Sequence, residues 1–246
     1  EQKEVWKLSK KYNFKIIEDA SHAIGAKHYG ESVGSCKWSD ITVFSFHPVK
    51  IITTAEGGAS LTNNKMYYEK MLQFRENGII FDKKRFLKKN KYAGYYEQVS
   101  TGYNYRMNEL SAALGISQLK NLKKFINKRN QIAKKYIDEL KNLPIQFQKI
   151  EKYNLSSYHI MIVKFNINKL KFNYKQLFDK FRKKKIFVNL HYSALHLNPY
   201  FKSMGFKKKQ FLKSEDYSNS SLSVPNYYDL KKSDFNKVIK IIKSII

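Results

Sequence analysis

Two residues whose types suit carbonyl–amine chemistry, Lys50 and Asp19, each follow a short apolar stretch. Asp19 ends the stretch FKIIED (14–19), and Lys50 lies in the run SFHPVKIITTAEGG (45–58), just after a second stretch. A lysine amine forms an imine with an aldehyde, and a carboxylate can keep a pyridine nitrogen protonated so that the ring accepts electrons. We therefore predict a pyridoxal 5'-phosphate (PLP) site in which Lys50 is the catalytic lysine and Asp19 faces the ring nitrogen.

Two further polar residues stand near this pair in the sequence. His22 could hydrogen-bond the phenolic oxygen of the cofactor or stack near its ring, and Ser45 could donate a hydrogen bond to its phosphate. Each residue also has an ordinary structural explanation: His22 as a satisfied core histidine, Ser45 as a strand serine, and Asp19 as the N-cap of a helix after the strand. The residues alone leave both explanations open.

The composition is that of a globular protein with a hydrophobic core. The chain has 246 residues, of which 42% are hydrophobic and 15% aromatic, enough for one large domain or two modest ones. No apolar run is long enough to cross a bilayer, and the single cysteine, Cys36, excludes an intrachain disulfide. We therefore expect a cytoplasmic protein without a membrane partner.

The formal net charge of +27 raises the question of nucleic-acid binding. The lysines, however, are spread along the chain, and Asn, Ile, Tyr and Phe are abundant with them, so the bias is general rather than confined to one phosphate-binding surface. We interpret the lysine-rich runs at 88–91, 183–185 and 207–209 as solvated faces or loops. Nucleic acid is therefore not expected as a partner.

Hydrophobic periodicity predicts alternating helices and strands in the first half of the chain. The predicted helices span 2–12, 65–75 and 108–120, with Asn108 as the N-cap of the last, and the predicted strands span 14–19, 41–46 and 57–62. The segment 77–104, rich in Lys, Tyr and Gly, shows neither pattern, and we interpret it as a functional loop rather than a missed element.

The pattern changes after a long polar helix predicted at 121–141. The second half is predicted to contain strands at 157–165 and 186–191, a helix at 173–184, and a last helix with Phe235, Val238, Ile239 and Ile242 at helical spacing. We therefore predict an α/β protein. Residues 1–120 form part of a large domain with a mostly parallel sheet, 121–145 a connecting helix, and 146–246 a small α+β C-terminal domain.

Four ordered motifs make the chain similar to a known family. They are EDASHA (18–23), SFHPVK (45–50), EGG (56–58) and GYNYRMNE (102–109). Together they resemble the DegT/DnrJ/EryC1 family of PLP-dependent sugar aminotransferases, which have the PLP-dependent transferase fold type I, and the similarity runs through essentially the whole chain. The motifs FHPVK (46–50), TTAEGG (53–58) and VNLHY (188–192) further resemble those of the transaminases of pseudaminic acid synthesis.

The resemblance implies roles for further residues. Asn104 would come from the neighbouring subunit of a homodimer with shared active sites and reach the cofactor phosphate, which would make the segment 77–104 a dimer arm. Arg106 could pair with a carboxylate or phosphate of a substrate, or only anchor this loop. His191 and Tyr192 could face the sugar or the nucleotide, although ordinary packing of the small domain explains them as well. No metal is implied.

The same resemblance implies a transamination in two half-reactions. L-glutamate would give its amino group to the cofactor, which would then aminate a UDP-linked 4-keto-6-deoxy N-acetyl sugar, with Lys50 moving the proton in both halves. A related branch of the family performs dehydration with a histidine in place of the lysine. Lys50 therefore argues against that branch.

The first residues lack an initiator Met and are predicted to lie in the middle of a helix. Members of the family carry a preceding segment with the first strands of the sheet, a phosphate-binding turn and an aromatic residue that stacks on the ring. We therefore expect an N-terminally truncated member with an exposed apolar sheet edge. Two competing hypotheses are a noncatalytic remnant or partner subunit of such an enzyme, and a basic nucleic-acid-binding protein.

Overall fold

The computed structural model describes residues 1–88 and 92–246. Two compact units divide the chain: the first comprises Glu1–Lys123 and Tyr153–Leu155, and the second comprises Lys124–Lys152 and Ser156–Ile246. Most of the lysine-rich run at 88–91, namely residues 89–91, lies outside the described residues.

Helices and strands are numbered in chain order. The α-helices are α1 (Gln2–Tyr12), α2 (Lys65–Arg75), α3 (Glu109–Lys120), α4 (Leu122–Leu140), α5 (Tyr174–Lys183), α6 (Pro199–Ser203), α7 (Leu212–Ser218) and α8 (Lys232–Ile245). The strands are β1 (Ile17–Asp19), β2 (Lys27–His28), β3 (Glu31–Ser32), β4 (Ile41–Ser45), β5 (Gly58–Leu61), β6 (Ile79–Ile80), β7 (Glu97–Gln98), β8 (Ile145–Phe147), β9 (Asn154–Leu155), β10 (Met161–Phe165), β11 (Asn189–Leu190) and β12 (Ser221–Val224). Short 3₁₀ turns span Lys83–Arg85, Ile167–Lys169 and Leu195–Leu197.

The first unit is built on a three-stranded sheet in the order β1-β4-β5. β1 runs parallel to β4, as predicted, and β5 returns antiparallel to β4 with Gly58 opposite Ser45. β1 is shorter than the predicted strand 14–19 because the N–H of Ile16 donates to Asp40 Oδ2 at 2.9 Å instead of joining the ladder. On its other side β1 has no strand neighbour among the described residues.

The helices of this unit begin and end where local chemistry predicts. α3 starts after Asn108, whose Oδ1 accepts a hydrogen bond from the N–H of Ser111 at 2.8 Å, so the predicted N-cap is confirmed. α1 ends at Tyr12 and is capped by Asn13, which has a left-handed backbone (φ 50°) and donates its N–H to the carbonyl of Ser9.

The segment 77–104 contains an element that the sequence pattern did not reveal. β6 and β7 pair antiparallel within it, with Ile80 opposite Glu97. The interpretation of the whole segment as a loop is therefore wrong. Strands of two residues are too short for an alternation of polar and apolar side chains to show in the sequence.

The second unit packs helices on a four-stranded antiparallel sheet in the order β11-β12-β10-β8. Its core includes fully buried side chains from α4, α5, β12 and α8, namely Tyr136, Leu140, Leu177, Phe181, Leu222 and Ile242. Phe235, Val238 and Ile239 of α8 belong to the same core, which confirms the predicted packing of the last helix. β12 was not predicted from the sequence, because its serines interrupt the apolar pattern expected of a buried strand.

Candidate active site

Two loops of the first unit begin at the same edge of its sheet. Because β1 and β4 are parallel, their carboxyl ends lie side by side, and this is where loops of α/β proteins hold ligands. Asp19 ends β1 and Ser45 ends β4. The sheet therefore brings the segment of Asp19 and His22 next to the segment that leads to Lys50.

Asp19 is held as a carboxylate by its own turn. Its Oδ1 accepts hydrogen bonds from the N–H of Ser21 at 3.0 Å and from the Ser21 hydroxyl at 2.5 Å. These bonds, and then the nearby charges of His22 and Lys50, keep the pKa of Asp19 below its usual range. The side chain is exposed, so its ionisation is stabilised by hydrogen bonds and nearby charge rather than by an enclosed ion pair.

The adjacent acid of the same strand serves a different purpose. Glu18 Oε2 accepts hydrogen bonds from Thr42 Oγ1 at 2.9 Å and from Ser39 Oγ at 3.4 Å. Thr42 is the cross-strand partner of Glu18 in the ladder. Successive side chains of a strand point to opposite faces, so Glu18 is engaged within the sheet while Asp19 is left for the loop edge.

His22 lies in the electrostatic field of the same cluster. Partial desolvation of its imidazole lowers the pKa of His22, the charge of Lys50 lowers this pKa further, and the charge of Asp19 opposes both. Its side chain is exposed, which excludes the explanation as a core histidine. The neutral ring favoured by this environment is the form that can both donate and accept a hydrogen bond.

Lys50 lies on a loop that is fixed at both ends. The N–H of Phe46 donates to the carbonyl of Gly57 at 2.8 Å, which closes the base of the loop. The N–H of Lys50 donates to the carbonyl of His47 at 2.9 Å, which forms a turn just before the lysine. Ile51 follows immediately and is buried, so the backbone of Lys50 is positioned while its side chain stays partly accessible.

Ser45 lies at the start of this loop, as predicted from the sequence. Its hydroxyl is placed beside the N–H of His47, which donates to Ser45 Oγ at 3.4 Å. The side chain is half-buried. Its assignment to the cofactor phosphate stays a prediction.

The sequence did not single out Thr54, which ties the lysine loop to α3. Its N–H donates to the carbonyl of Phe46 at 3.0 Å, and its Oγ1 donates to the carbonyl of Glu56 at 2.8 Å. Thr54 is buried, and a Cβ added at Gly115 of α3 would lie only 2.8 Å from Thr54 Cγ2. The Thr53-Thr54 pair, which follows Ile51 and Ile52 after the lysine, was the available signal for this contact.

Asn104 and Arg106 lie along the end of α2. Asn104 forms an isolated antiparallel bridge with Glu76, and Arg106 Nη1 donates to Glu76 Oε2 at 3.1 Å. Arg75 donates to the other oxygen of the same carboxylate at 2.7 Å. In this chain Arg106 therefore anchors the segment after β7, and both residues have exposed side chains.

His191 and Tyr192 belong to the second unit and follow β11. Their rings are in edge contact, with centroids 4.6 Å apart. His191 is half-buried and Tyr192 exposed. Their assignment to the substrate stays a prediction.

The cluster fits PLP better than it fits a metal. An amine, a carboxylate that remains ionised and a largely neutral imidazole are the groups that such a cofactor requires near its aldehyde, ring nitrogen and phenolic oxygen. Within residues 1–88 and 92–246, no group of three or more His, Cys, Asp or Glu side chains is arranged to hold a metal ion. The same residues contain no helix that is long and apolar enough to span a membrane.

Comparisons with known proteins identify relatives of the whole chain. A UDP-4-amino-4,6-dideoxy-N-acetyl-beta-L-altrosamine transaminase of Campylobacter jejuni is 35% identical over 252 residues, which cover 100% of this chain and 62% of the relative. The structure of Helicobacter pylori PseC, an aminotransferase involved in the biosynthesis of pseudoaminic acid, matches with a TM-score of 0.87 and 29% identity, over 100% of this chain and 63% of that one.

A more distant match supports the fold alone. A putative sugar aminotransferase of Streptococcus pneumoniae, solved in a PLP-form, matches with a TM-score of 0.82 and 24% identity, over 97% of this chain and 59% of that one. The chain spans between 58% and 64% of the length of the curated relatives it matches.

The fold is that of the PLP-dependent aminotransferases of fold type I, which confirms the predicted fold class. The model of the DegT/DnrJ/EryC1/StrS aminotransferase family matches residues 1–243. Proteins of this family are PLP-dependent and act on sugars with an amino donor. The chain belongs to the DegT/DnrJ/EryC1/StrS aminotransferase family.

Proposed function

We propose that this protein is a PLP-dependent transaminase that moves an amino group from L-glutamate to a UDP-linked 4-keto-6-deoxy N-acetyl sugar. The observation that carries the proposal is the cluster of Lys50, Asp19 and His22 at the carboxyl edge of the sheet, where charge on Lys50 influences both neighbours. The C. jejuni and H. pylori relatives support the choice of a nucleotide-linked sugar in pseudaminic acid synthesis.

Each residue has a distinct task in this reaction. Lys50 would hold the cofactor covalently and, once the incoming amine has replaced it there, its freed amine would move a proton to and from the carbon that bears the amino group. Asp19 would stay ionised and keep the pyridine nitrogen protonated, and His22 would orient the ring through the phenolic oxygen. Ser45 would donate to the phosphate. Bound PLP supplies an electron sink for the carbanion that develops when this proton is removed.

The arrangement also favours a lysine-based transamination over the dehydration branch of the family. The turn from His47 to Lys50 and the buried Ile51 present an amine, rather than an imidazole, beside Asp19. An amine can form the covalent attachment and shuttle the proton, which an imidazole in its place can do only in part. The homodimer with shared sites, with Asn104 contributed across it, and the cytoplasmic location remain part of this proposal.

Cofactor binding to the full chain tests the lysine assignment. Titration with PLP is expected to give a saturable visible band at about 410–430 nm, as lysine-bound PLP does. Borohydride reduction followed by peptide mapping should place the adduct on Lys50. The Lys50→Ala variant should lose both signals, whereas Lys70→Ala, an exposed lysine of α2, should keep them.

Two outcomes would contradict the proposal. A band that persists in Lys50→Ala, or an adduct mapped to other lysines, would show that the amine is a different one. A folded chain with no saturable band would remove the cofactor role from this chain. Glutamate-dependent formation of 2-oxoglutarate by the full chain, lost in Lys50→Ala, would then separate a transaminase from a noncatalytic binder of the cofactor.

A further inference from the structure

The segment 199–213 of the second unit combines lysines with exposed apolar side chains. It contains Lys202, Lys207, Lys208, Lys209 and Lys213 and has no acidic residue. All five lysines are exposed, and none forms an ion pair with a carboxylate in the part of the chain that the structure describes. This segment is therefore a local concentration of uncompensated positive charge.

Apolar side chains of the same segment face solvent between these lysines. Tyr200 is 71% exposed, Met204 61% and Leu212 66%. Large apolar side chains grouped on a surface are a common mark of an interaction site. Neither packing nor charge pairing within the described residues accounts for them.

The segment is nonetheless a folded structure. Phe201, Phe206 and Phe211 form a row of ring contacts, with centroids 6.3 and 6.2 Å apart. Beneath them His196 Nε2 and Glu215 Oε1 form a buried pair at 3.0 Å, and the same oxygen accepts from the N–H of Lys209 at 2.6 Å. This support presents the lysines and the exposed apolar side chains as a fixed surface.

We propose that residues 199–213 form a docking surface for an anionic membrane leaflet. Lysines gain energy near acidic headgroups, and exposed Tyr, Met and Leu side chains gain by leaving water at the boundary with the acyl chains. Membrane binding of this peripheral kind needs two such signals, and the segment carries both. Binding of this kind requires no membrane-spanning segment. The expectation of no membrane partner was based on the lack of a long apolar run, which such binding does not need.

A membrane explains this surface better than a nucleic acid does. Lysines can pair with the phosphates of a nucleic acid, but those phosphates offer no apolar environment for Leu212 and Met204. The segment also contains no arginine, the residue whose planar fork binds phosphate with two hydrogen bonds. The run 207–209 lies in an exposed loop, as the sequence predicted, and the proposal gives this loop a binding partner.

Vesicle sedimentation of the full chain tests the proposal. The chain is expected to bind vesicles of phosphatidylglycerol and phosphatidylcholine and not vesicles of phosphatidylcholine alone, with binding that weakens as salt rises. Because each lysine near the surface contributes roughly a fivefold gain, the triple variant Lys207→Gln, Lys208→Gln, Lys209→Gln should lower partitioning by roughly 100-fold. The double variant Met204→Ser, Leu212→Ser should lower it at every salt concentration.

The chain offers a matched control in its other lysine triplet. Replacing Lys183, Lys184 and Lys185 with Gln removes the same charge from an exposed part of the same unit and should change partitioning by less than about threefold. An equal loss in both triple variants would show diffuse attraction by net charge and overturn the proposal. Binding to a random single-stranded oligonucleotide but not to anionic vesicles would overturn it as well. Circular dichroism of every variant establishes that the fold is retained.

Discussion

At the scale of single residues, the charge states of Asp19 and His22 depend on the groups beside them. Asp19 is exposed, so its low pKa comes first from the two hydrogen bonds of Ser21. His22 and Lys50 then couple to it through their charges. The electrostatic organisation of the cluster is thus local and can be changed one residue at a time.

Replacing Ser21 with Ala should raise the pKa of Asp19 toward its usual value, because the hydroxyl hydrogen bond is lost while the N–H bond remains. The pKa of Asp19 in the folded chain lies below that of the unfolded chain. Ionised Asp19 therefore stabilises the fold above the ordinary Asp pKa, and this stabilisation is lost as pH falls through the folded value. An NMR titration of the Asp19 carboxyl carbon measures the shift.

The control for this prediction is Ser117→Ala, which removes an exposed hydroxyl from α3. It should leave the titration of Asp19 unchanged. An Asp19 pKa that stays in place in Ser21→Ala would mean that the neighbouring charges, rather than the hydroxyl, dominate.

Arg106 should behave as an anchor and not as a phosphate ligand. Because its guanidinium bonds the carboxylate of Glu76, Arg106→Ala should cost at most about 1 kcal/mol of unfolding free energy and leave the dissociation constant of PLP unchanged. Denaturant unfolding and the visible band of PLP measure the two quantities. Glu76→Gln is the reciprocal variant, and the double variant should lose less than the sum of the two single losses. Weaker PLP binding in Arg106→Ala alone would restore the phosphate role.

At the scale of elements, the lysine loop is held in place by its neighbours. Phe46 and Gly57 close its base, Ile51 anchors its centre, and Thr54 packs against α3 where Gly115 leaves room. A loop constrained at several points presents its lysine in a narrow range of positions. Such preorganisation is what proton transfer at a fixed carbon requires.

Substituting Gly115 with Val should disturb this packing, since a Cβ there already comes within 2.8 Å of Thr54 Cγ2. Overpacking of this kind costs about 1–3 kcal/mol, and the visible band of bound PLP should weaken with it. Ser117→Val places the same side chain on an exposed position of the same helix and is the matched control. Equal losses in both variants would show that the effect does not come from contact with the lysine loop, since helix propensity favours Val over Gly.

Long helices and strands were easier to predict from the sequence than short ones. α2 was predicted at its observed bounds, and the structure shows that Asn64 caps its start by accepting a hydrogen bond from the N–H of Tyr67. β6 and β7 were missed because two residues carry no period, and β12 was hidden by its serines. Lys50 and Asp19 could be chosen by residue type and motif. The exposure of Asp19 could not be predicted, because burial depends on which elements pack over a strand end.

At the scale of the whole molecule, positive charge dominates. The formal net charge is +27, and several ion pairs, such as Lys7–Glu4 and Lys175–Asp179, are exposed pairs of low energetic value. Like charges on a compact chain repel one another and oppose folding. Surface electrostatics should therefore destabilise this protein at low salt.

Raising the salt concentration from a few millimolar to about 0.15 M, where the Debye length is about 8 Å, should increase the free energy of unfolding. Denaturant unfolding with urea, which is uncharged, measures the change without adding ions. Mannitol at equal osmolality is the control and should not reproduce the gain. A fall in stability with salt would mean that the attractive ion pairs outweigh the repulsion.

The hydrogen bonds of Glu18 with Thr42 and Ser39 have a consequence for how the chain tolerates change. Glu18 and Asp19 are adjacent on β1, and only the register of β1 with β4 determines which of them lies at the loop edge. A slip of one position would exchange their faces and place the longer acid at the loop edge. Single-residue insertions or deletions between α1 and β1 should therefore abolish function more readily than most point substitutions in this segment, even where the sheet itself survives.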